Sequence, residues 1–395
     1  MASLNFNLLG TISWADIRGQ ASSSICSALD IVLESHDGGA LTREQSLALA
    51  GAEGTDLFAL AVAADELRRT LVGDVVTYVV NRNINFTNVC FVGCKFCAFS
   101  VGAHDPGSYF LSLEEVGRRT REARQRGATE VCIQGGLPRE LPPLYYRDIL
   151  RAVKAAVPDM HIHAFSPMEV AYGVELTGMT TRDYLLMLRD NGLDTLPGTA
   201  AEILDDDVRA IISRNKLNTA RWRDIISTAH RCGIRTTSTL MYGHVETPAH
   251  WVDQLLLLRD IQRETGGFTE FVPLGFVHQN TLLFQQGIAR PGPTIAEHVK
   301  IHALARVLLA GAIPNIQVSW VKLSRETAQL CLRAGANDYG GTLMDENISR
   351  LAGSTSGEYL SPEQFHERIR ELGRIPAERN TTYTRLKRFD PVAAA

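Results

Sequence analysis

Short apolar runs rich in β-branched residues alternate along this chain with longer stretches of helical period. Val75–Asn81, for example, is followed by Leu113–Arg126, which Ser112 would cap, and then by Glu130–Gln134. Alternation of this kind predicts βαβ units and a parallel sheet. The other predicted strands are His161–Phe165, Asp194–Pro197, Ile234–Tyr242, Phe268–Leu274, Asn315–Trp320 and Asp338–Leu343. The other predicted helices are Leu144–Val157, Arg182–Asn191, Ala220–Cys232, Ala249–Glu264, Ile295–Leu309 and Arg325–Ala334.

About eight repeats fit an α/β fold of the TIM-like (β/α)8 barrel type, with a six-stranded partial barrel as the alternative. We expect an N-terminal helical region at residues 1–74, the barrel at 75–345 and a C-terminal extension at 346–395. In the first region Thr42 is a predicted helix cap, and Leu57, Leu60, Ala61, Ala64 and Leu67 recur at helical spacing. The polar tail after Arg379 is expected to fray.

The composition is that of an ordinary globular protein, since 45% of the 395 residues are hydrophobic and 21% are charged. The formal net charge of −4 gives no indication of a nucleic-acid or membrane surface. No apolar run reaches the ~18 residues expected of a membrane span. The N-terminus lacks the charged and apolar pattern of a secretory signal. Together with seven cysteines, these features predict a protein of the reducing cytoplasm.

Three of the cysteines, Cys90, Cys94 and Cys97, are spaced C-x3-C-x2-C. Thiolates this close together can bind one metal centre, and sulfur ligands favour zinc, copper(I) or iron–sulfur clusters. A disulfide fits poorly because three is odd and a small loop does not readily satisfy disulfide geometry. Structural zinc usually takes a second pair of ligands, and a [4Fe–4S] cluster usually takes four cysteines. Three cysteines therefore leave one iron open to a small molecule, with structural zinc or an incidental thiol cluster as the alternatives.

The other four cysteines are scattered among apolar neighbours. They are Cys26, Cys132, Cys232 and Cys331. We interpret them as buried small hydrophobic residues. A second cluster would need its own closely spaced set, and the sequence contains none.

Polar side chains are concentrated where the predicted strands end. In barrels of this type the active site lies at the C-terminal ends of the strands, so these residues are candidates for binding and catalysis. Gln134, Gly135 and Gly136 end the second strand, where paired glycines let a ligand approach the backbone closely. The other candidates are His161, His163, Ser166, Glu169, Thr237, Ser238, Tyr242, His244, Glu270, His278, Asn280, Ser319 and Asn337. The predicted site is large and rich in hydrogen-bonding groups, as a polyhydroxylated or heterocyclic substrate would require.

His161 and His163 alternate with Ile162, so both face one side of the third predicted strand. Two histidines could contribute to a zinc site, but a hydrogen-bonded core histidine is the commoner role for at least one of them. The substrate, zinc and core interpretations of these residues stay open.

The segment Cys90-x3-Cys94-x-Phe96-Cys97 resembles the signature of the radical S-adenosylmethionine (SAM) enzymes. The resemblance implies a [4Fe–4S] cluster held by the three cysteines, with SAM bound to the open iron through its amino and carboxylate groups. It also implies that Phe96, the aromatic residue before the last cysteine, lies near the adenine.

The same resemblance assigns cofactor-binding roles at two strand ends. The turn of Gln134, Gly135 and Gly136 would meet the methionine end of SAM. Ser166 and Glu169 would hydrogen-bond its ribose or amino groups. The remaining candidates would then serve the substrate.

Longer runs narrow the resemblance. Residues 78–88, 161–169, 195–202, 242–247, 269–274, 315–323 and 337–344 together resemble the tyrosine-dependent subunits of FO synthase, the 5-deazaflavin-forming system. The likeness extends from about Thr42 to Arg379. The chain has one cysteine signature of this type, so it should perform one of the two steps. The implied functional partner is the second, cyclising subunit.

The resemblance implies a defined reaction between L-tyrosine and 5-amino-6-(D-ribitylamino)uracil. A reduced cluster cleaves SAM to methionine and a 5'-deoxyadenosyl radical, which abstracts hydrogen from tyrosine. The Cα–Cβ bond of tyrosine then breaks, and the 4-hydroxybenzyl group joins the uracil to give the precursor of FO. The reaction also needs a reducing electron donor.

Two points qualify this assignment. A futalosine-type radical SAM enzyme of menaquinone biosynthesis is the alternative, and it would ignore tyrosine. The sequence also departs from the family at Leu137, where a histidine is common. This departure puts rate or substrate choice in doubt but does not affect the cluster.

Overall fold

The structure is a computed structural model that describes residues 6–390. Its strands are β1 (Val75–Val79), β2 (Asn81–Ile84), β3 (Glu130–Ile133), β4 (His161–Ala164), β5 (Thr195–Leu196), β6 (Arg235–Tyr242), β7 (Phe268–Gly275), β8 (Asp338–Gly341), β9 (Ile375–Arg379) and β10 (Leu386–Arg388). Its helices are α1 (Trp14–Ile17), α2 (Ser23–Ser35), α3 (Arg43–Ala50), α4 (Gly54–Val72), α5 (Leu113–Gln125), α6 (Tyr145–Ala156), α7 (Pro167–Thr177), α8 (Thr181–Asp190), α9 (Asp206–Ile212), α10 (Thr219–Arg231), α11 (Pro248–Thr265), α12 (Leu282–Gln285), α13 (Ile295–Leu308), α14 (Arg325–Arg333), α15 (Ile348–Ala352) and α16 (Pro362–Arg370).

Helices precede the first strand, as the sequence predicts. Thr42 caps α3 by accepting a hydrogen bond from the amide of Gln45, whose side chain bonds back to the Thr42 amide. The five regularly spaced apolar residues of α4 are all buried, and α4 packs against α13. Among the described residues no single helix is long and apolar enough to cross a membrane, although the bent pair α3–α4 meets that test by length and composition.

The strands form a curled, mainly parallel wall. One sheet has the order β2-β3-β4-β5-β6-β7, and a second has the order β10-β9-β1-β8. The chain passes from β1 directly into β2, so the first strand position belongs to both sheets. Isolated parallel bridges from Phe271 to Ile316 and from Gln317 to Asp338 connect β7 with β8. The result is an α/β TIM-like barrel in which these bridges close the six-stranded sheet.

The predicted strand Asn315–Trp320 is wrong, because this segment forms only the two bridges and then a 3-10 turn at Trp320–Lys322. Side-chain amides take the place of ladder hydrogen bonds here. The Asn337 Oδ1 atom accepts from the Ile316 amide at 2.9 Å, and Asn315 Nδ2 donates to the Thr269 carbonyl at 2.9 Å. The segment nevertheless keeps the seventh position of the barrel.

The expectation that the chain frays after Arg379 is also wrong for the described residues. Strand β9 pairs in parallel with β1, and β10 pairs antiparallel with β9. Between these strands Thr381 donates to Glu130 and Tyr383 donates to Glu270, both inside the barrel. Residues 391–395 lie outside the described part of the chain. The C-terminal segment is therefore part of the barrel wall and of its interior.

Candidate active site

A cavity of about 430 Å³ lies at the C-terminal ends of the barrel strands. The cysteine loop covers one side of it, with Cys90, Cys94, Phe96, Cys97 and Phe99 in the lining. The strand ends and the loops after them contribute Asn83, Asn85, Cys132, Gln134, Gly135, Gly136, Leu137, Ser166, Glu169, Thr199, Glu202, Lys216, Thr239, Gln317, Ser319, Lys322 and Glu346. Apolar side chains, among them Val272, Leu274 and Phe276, fill much of the wall. The cavity is therefore more apolar than the sequence predicts.

Backbone hydrogen bonds hold the cysteine loop over the barrel. The Cys90 amide donates to Val101, the Phe91 amide donates to Leu137, and the Lys95 amide donates to Ile212, at 2.9 to 3.1 Å. All three cysteines are half-buried free thiols. Burial raises the pKa of the Cys90 thiol and raises that of Cys94 to about 12. Without a metal the thiols of Cys90 and Cys94 are therefore protonated, so binding a metal centre there would release protons.

The three thiols suit a polynuclear cluster. Among residues 6–390 no three histidine, cysteine or carboxylate side chains lie close enough together to hold a single metal ion. Cys90, Cys94 and Cys97 instead border one shared volume. In an iron–sulfur cluster each thiolate binds a different iron, so its ligands stand around a volume of this kind. The donor set and its arrangement fit a [4Fe–4S] cluster with one iron free of protein ligands.

Gly135 and Gly136 line the cavity, and their small size also serves the cysteine loop. A Cβ on Gly136 would overlap the Val89 carbonyl oxygen and lie 3.0 Å from the Cβ of Cys90. A Cβ on Gly135 would lie 2.6 Å from the ring of Phe86. The missing side chains thus let the loop that carries Cys90 pack directly on the end of β3.

Ser166 and Glu169 form the capping box of α7 at the edge of the cavity. The Glu169 carboxylate accepts from the Ser166 amide at 2.7 Å, from the Ser166 hydroxyl at 2.6 Å and from the Gly135 amide at 3.1 Å. Burial raises the pKa of Glu169 to about 7, although these donors oppose the shift. The carboxylate therefore ties the glycine turn to the start of α7 and is held rigidly beside the cavity.

Lys216 and Glu202 form a charged pair in the cavity wall that the sequence analysis missed. The Lys216 Nζ atom donates to Glu202 Oε1 at 2.6 Å and lies 5.1 Å from the centre of the Phe96 ring. Burial opposes the charge, but the attraction of Glu202 holds the pKa of Lys216 above its usual value. Ala200 and Glu202 adopt left-handed backbone conformations, with φ of 58° and 41°. Strained non-glycine residues of this kind cluster at functional sites.

Four of the predicted site residues lie at the opposite end of the barrel. His161 and His163 lie within the first three residues of β4. Glu270 lies within the first three residues of β7, and Asn337 precedes β8. His161 Nε2 and His163 Nδ1 each lie 2.8 Å from the Thr195 hydroxyl, and burial lowers the pKa of His163 to about 4. These two histidines are core residues whose rings are hydrogen-bonded to Thr195, and neither lines the cavity. Their place at the start of β4 is a correction, since the sequence put them at its end.

The candidates on β6 and after β7 also lie outside the cavity. Ser238 donates to the Glu270 carbonyl, Thr237 accepts from the Gly198 amide, and Tyr242 bonds to His298 in the helical layer. The other three are His244, which is buried beside Glu246, His278, which borders a neighbouring cavity of about 270 Å³, and Asn280, which donates to the Leu351 carbonyl. Side chains alternate along a strand, so Ser238 and Tyr242 lie on the face opposite to Thr239 and Met241, which line the cavity. Thr237 shares the face of Thr239 but lies nearer the start of β6.

Of the sequence candidates the structure brings together ten: Cys90, Cys94, Cys97, Phe96, Gln134, Gly135, Gly136, Ser166, Glu169 and Ser319. Among the residues missed, Asn83 and Asn85 stand two apart on β2 and just beyond it, and strand alternation could have identified them. Cys132 borders the cavity and is only partly buried, as is Cys26, so neither is the buried residue expected. Leu137 is buried in the lining beside the cysteine loop.

Comparison with protein families gives two matches that together cover most of the chain. Residues 84–258 match the radical SAM superfamily, and residues 265–391 match the CofH/MqnC C-terminal region. A 5-amino-6-(D-ribitylamino)uracil–L-tyrosine 4-hydroxyphenyl transferase of Methanothermobacter thermautotrophicus is 49% identical over 88% of this chain and 95% of its own length.

FO synthases are similar over part of their length. The FO synthase of Mycobacterium leprae is 56% identical over 342 residues, and that of Nocardia farcinica is 54% identical over 352 residues. The matches cover 87% and 89% of this chain but only 40% and 41% of those proteins. The chain therefore spans about two fifths of the length of these relatives.

Two solved structures share the fold at low sequence identity. Methylornithine synthase (PylB) gives a TM-score of 0.69 at 18% identity, covering 89% of this chain and 97% of PylB. HydG, a maturase of the [FeFe]-hydrogenase, gives a TM-score of 0.70 at 14% identity, covering 93% of this chain and 78% of HydG. At these identities the likeness concerns the fold alone.

Proposed function

We propose that this chain joins the 4-hydroxybenzyl group of L-tyrosine to 5-amino-6-(D-ribitylamino)uracil. The chain belongs to the radical SAM superfamily and, within it, to the 5-amino-6-(D-ribitylamino)uracil–L-tyrosine 4-hydroxyphenyl transferases. The product is the precursor of the 5-deazaflavin FO. The observation that carries the proposal is the cavity at the strand ends, which three thiols of one loop border together with polar and apolar walls.

Cys90, Cys94 and Cys97 would hold the cluster, and the wall nearest to them would hold SAM. When bound, a reduced [4Fe–4S] cluster and SAM supply a 5'-deoxyadenosyl radical. Phe96 offers an aromatic face beside the Lys216 ammonium, which suits an adenine and its polar edge. Gln134, Gly135, Gly136, Ser166 and Glu169 border the same part of the cavity and complete the proposed SAM site.

The apolar wall has a protective role in this proposal. Val272, Leu274 and Phe276 come from β7 and the residue after it, and Val321 comes from the 3-10 turn. These side chains carry no exchangeable proton or easily oxidised group toward the reacting atoms. A wall of this kind also excludes water, which would compete in the coupling step.

The reaction sequence needs partners. The chain spans about two fifths of the FO synthases it matches, so a second enzyme or a second half would cyclise the product. A reducing electron donor must also reach the cluster. All seven cysteines are free thiols, which supports the reducing cytoplasm as the place of the reaction.

The test is an anaerobic assay of the reconstituted enzyme with SAM, dithionite, L-tyrosine and 5-amino-6-(D-ribitylamino)uracil. We expect about four irons per chain, together with 5'-deoxyadenosine and a coupled product that requires both substrates. Cys97→Ala should lose both the iron and the product. Cys132→Ala is the matched control, because Cys132 also borders the cavity but lies on β3 outside the cysteine loop, and it should keep the iron.

Other results would overturn the proposal. SAM cleavage without coupling would keep the radical chemistry but point to a futalosine-type substrate. The absence of SAM cleavage by a fully loaded cluster would contradict the radical mechanism for this chain. Equal iron loss in Cys97→Ala and Cys132→Ala would contradict the assignment of the cluster to the cysteine loop.

A further inference from the structure

Lys322 reaches the cavity from the 3-10 turn that follows the seventh barrel position. Its Nζ atom donates to the Ser349 hydroxyl at 2.7 Å, and it forms no salt bridge with any carboxylate of residues 6–390. Burial lowers the pKa of this ammonium, and the attraction of Glu346 opposes that shift. Lys322 thus presents a cation to the cavity with one neutral partner.

Glu346 presents the complementary charge from the loop after β8. Glu346 as a residue is 5% exposed, and among the described residues its carboxylate accepts only from the Ser349 amide, at 3.1 Å to Oε1 and 3.2 Å to Oε2. No lysine, arginine or histidine of the described residues forms a salt bridge with it. Ser349 therefore holds both Lys322 and Glu346, through its hydroxyl and its amide, while the two charges remain apart.

In two other interior charge pairs of the protein the partners are in direct contact. Lys216 pairs with Glu202 at 2.6 Å, and Arg379 pairs with Asp338 at 2.6 Å. Charges away from water are normally paired because an unpaired charge loses its hydration without compensation. An unpaired cation and an unpaired anion that border one cavity are therefore suited to a ligand that carries both charges.

We propose that Lys322 and Glu346 bind the α-amino-acid group of the substrate, with its carboxylate at Lys322 and its ammonium at Glu346. This inference rests on the proposed function, in which that substrate is L-tyrosine. The aromatic side chain would lie along the apolar wall of Val272, Leu274 and Phe276.

The position of the pair separates it from the proposed SAM site. SAM also carries an amino-acid group, but its proposed site lies by the cysteine loop and the loops after β3, β4 and β5. Lys322 and Glu346 follow the seventh and eighth barrel positions, and Ser319 and Gln317 line the cavity beside Lys322. The cavity thus offers one polar end for each amino acid.

The competing occupant of this pair is the uracil ring, whose carbonyl and N–H groups could also meet a lysine and a glutamate. The two ligands differ in charge, since tyrosine carries a full positive and a full negative charge and the ring is neutral. Analogues of tyrosine that lack one charge therefore distinguish the two occupants and test each residue separately.

The experiment measures ligand binding by calorimetry to the reconstituted holoenzyme with SAM and without reductant, so that no turnover occurs. The tyrosine-type ligands are L-tyrosine, tyramine, which lacks the carboxylate, and 3-(4-hydroxyphenyl)propanoate, which lacks the ammonium. The aminouracil is measured in parallel. We expect Lys322→Met to weaken tyrosine and the propanoate on the order of 10- to 100-fold and to change tyramine by less than about threefold. We expect Glu346→Gln to weaken tyrosine and tyramine and to spare the propanoate. Lys387→Ala, an exposed lysine of β10, is the matched control.

We expect the two variants to have opposite effects on tyramine and on the propanoate. This pattern distinguishes the inference from a folding defect and from a failure of the proposed function. Equal weakening of all three ligands by both variants would overturn the inference, because it would mean a general disturbance of the loops. Unchanged tyrosine binding with weakened binding of the aminouracil would assign the pair to the uracil and would also overturn it. If wild-type enzyme binds no tyrosine at all, both the inference and the proposed function are wrong.

Discussion

Arg379 of β9 donates from its Nε atom to Asp338 Oδ2 at 2.6 Å, and so links the C-terminal segment to the first residue of β8 inside the barrel. Its Nη2 atom also donates to Glu270 of β7 at 3.1 Å, and its guanidinium lies 4.1 Å from the centre of the Tyr383 ring. One cation thus neutralises two buried carboxylates, which come from the sixth and eighth barrel positions. The residues after the barrel therefore close its N-terminal end.

This relationship predicts that Arg379→Met destabilises the protein strongly. The variant leaves Asp338 and Glu270 buried without a cation, and breaking a buried pair in this way costs about 3–5 kcal/mol. Urea unfolding followed by circular dichroism measures the loss. Arg388→Met is the control, because Arg388 is exposed and pairs only with exposed Asp390. A loss of the same size in both variants would contradict the role given to Arg379.

The buried histidines predict acid sensitivity. Burial lowers the pKa of His163 to about 4, from an ordinary value of 6.5, so the unfolded chain binds more protons between those pH values. Stability from His163 is therefore complete above pH 6.5 and is lost as pH falls toward 4, by on the order of 2–3 kcal/mol.

The measurement for His163 is the free energy of unfolding of wild type and His163→Gln from pH 4 to pH 8. We expect a shallower acid slope in the variant. His104→Gln replaces an exposed histidine and should keep the wild-type slope. Parallel slopes in wild type and His163→Gln would mean that His163 is not the proton acceptor.

Gly136→Ala should damage the cluster site through the backbone. The added Cβ would overlap the Val89 carbonyl oxygen and press on Cys90, and overpacking of this kind typically costs about 1–3 kcal/mol. We expect lower iron content after reconstitution together with a lower melting temperature. Gly19→Ala is the control, because a Cβ there meets nothing within 4 Å. Full iron loading of Gly136→Ala would contradict this prediction, because it would mean that the cysteine loop accommodates the added methyl group.

The contributions of Lys216 and Glu202 to the free energy of unfolding should depend on each other. Each single variant, Lys216→Met or Glu202→Gln, removes one partner of a pair joined at 2.6 Å in the cavity wall. The double variant removes both, so its loss should be smaller than the sum of the single losses by about 1–3 kcal/mol. Thermal and urea unfolding of the four proteins measure this difference. Additive losses would mean that the two charges act independently.

The sequence by itself determined the features that depend on neighbouring residues. The alternation of apolar runs identified seven of the eight barrel positions as strands, because the periods of a strand and a helix are local properties. The caps at Thr42 and Ser112 occur as predicted, since a cap bonds to an amide three residues away. The spacing of Cys90, Cys94 and Cys97 likewise indicated one shared metal centre, because all three lie on a loop of eight residues.

Only the tertiary structure decided which polar residues face the cavity. Alternation along a strand tells which face a side chain is on, but its height in the barrel depends on pairing with strands far away in sequence. Thus Ser166 borders the cavity, while His163, three residues earlier, lies in the network at the other end. The pairing of Arg379 with Asp338 and the shared contact of Lys322 and Glu346 with Ser349 arise in the same way, because distant segments meet only when the barrel closes.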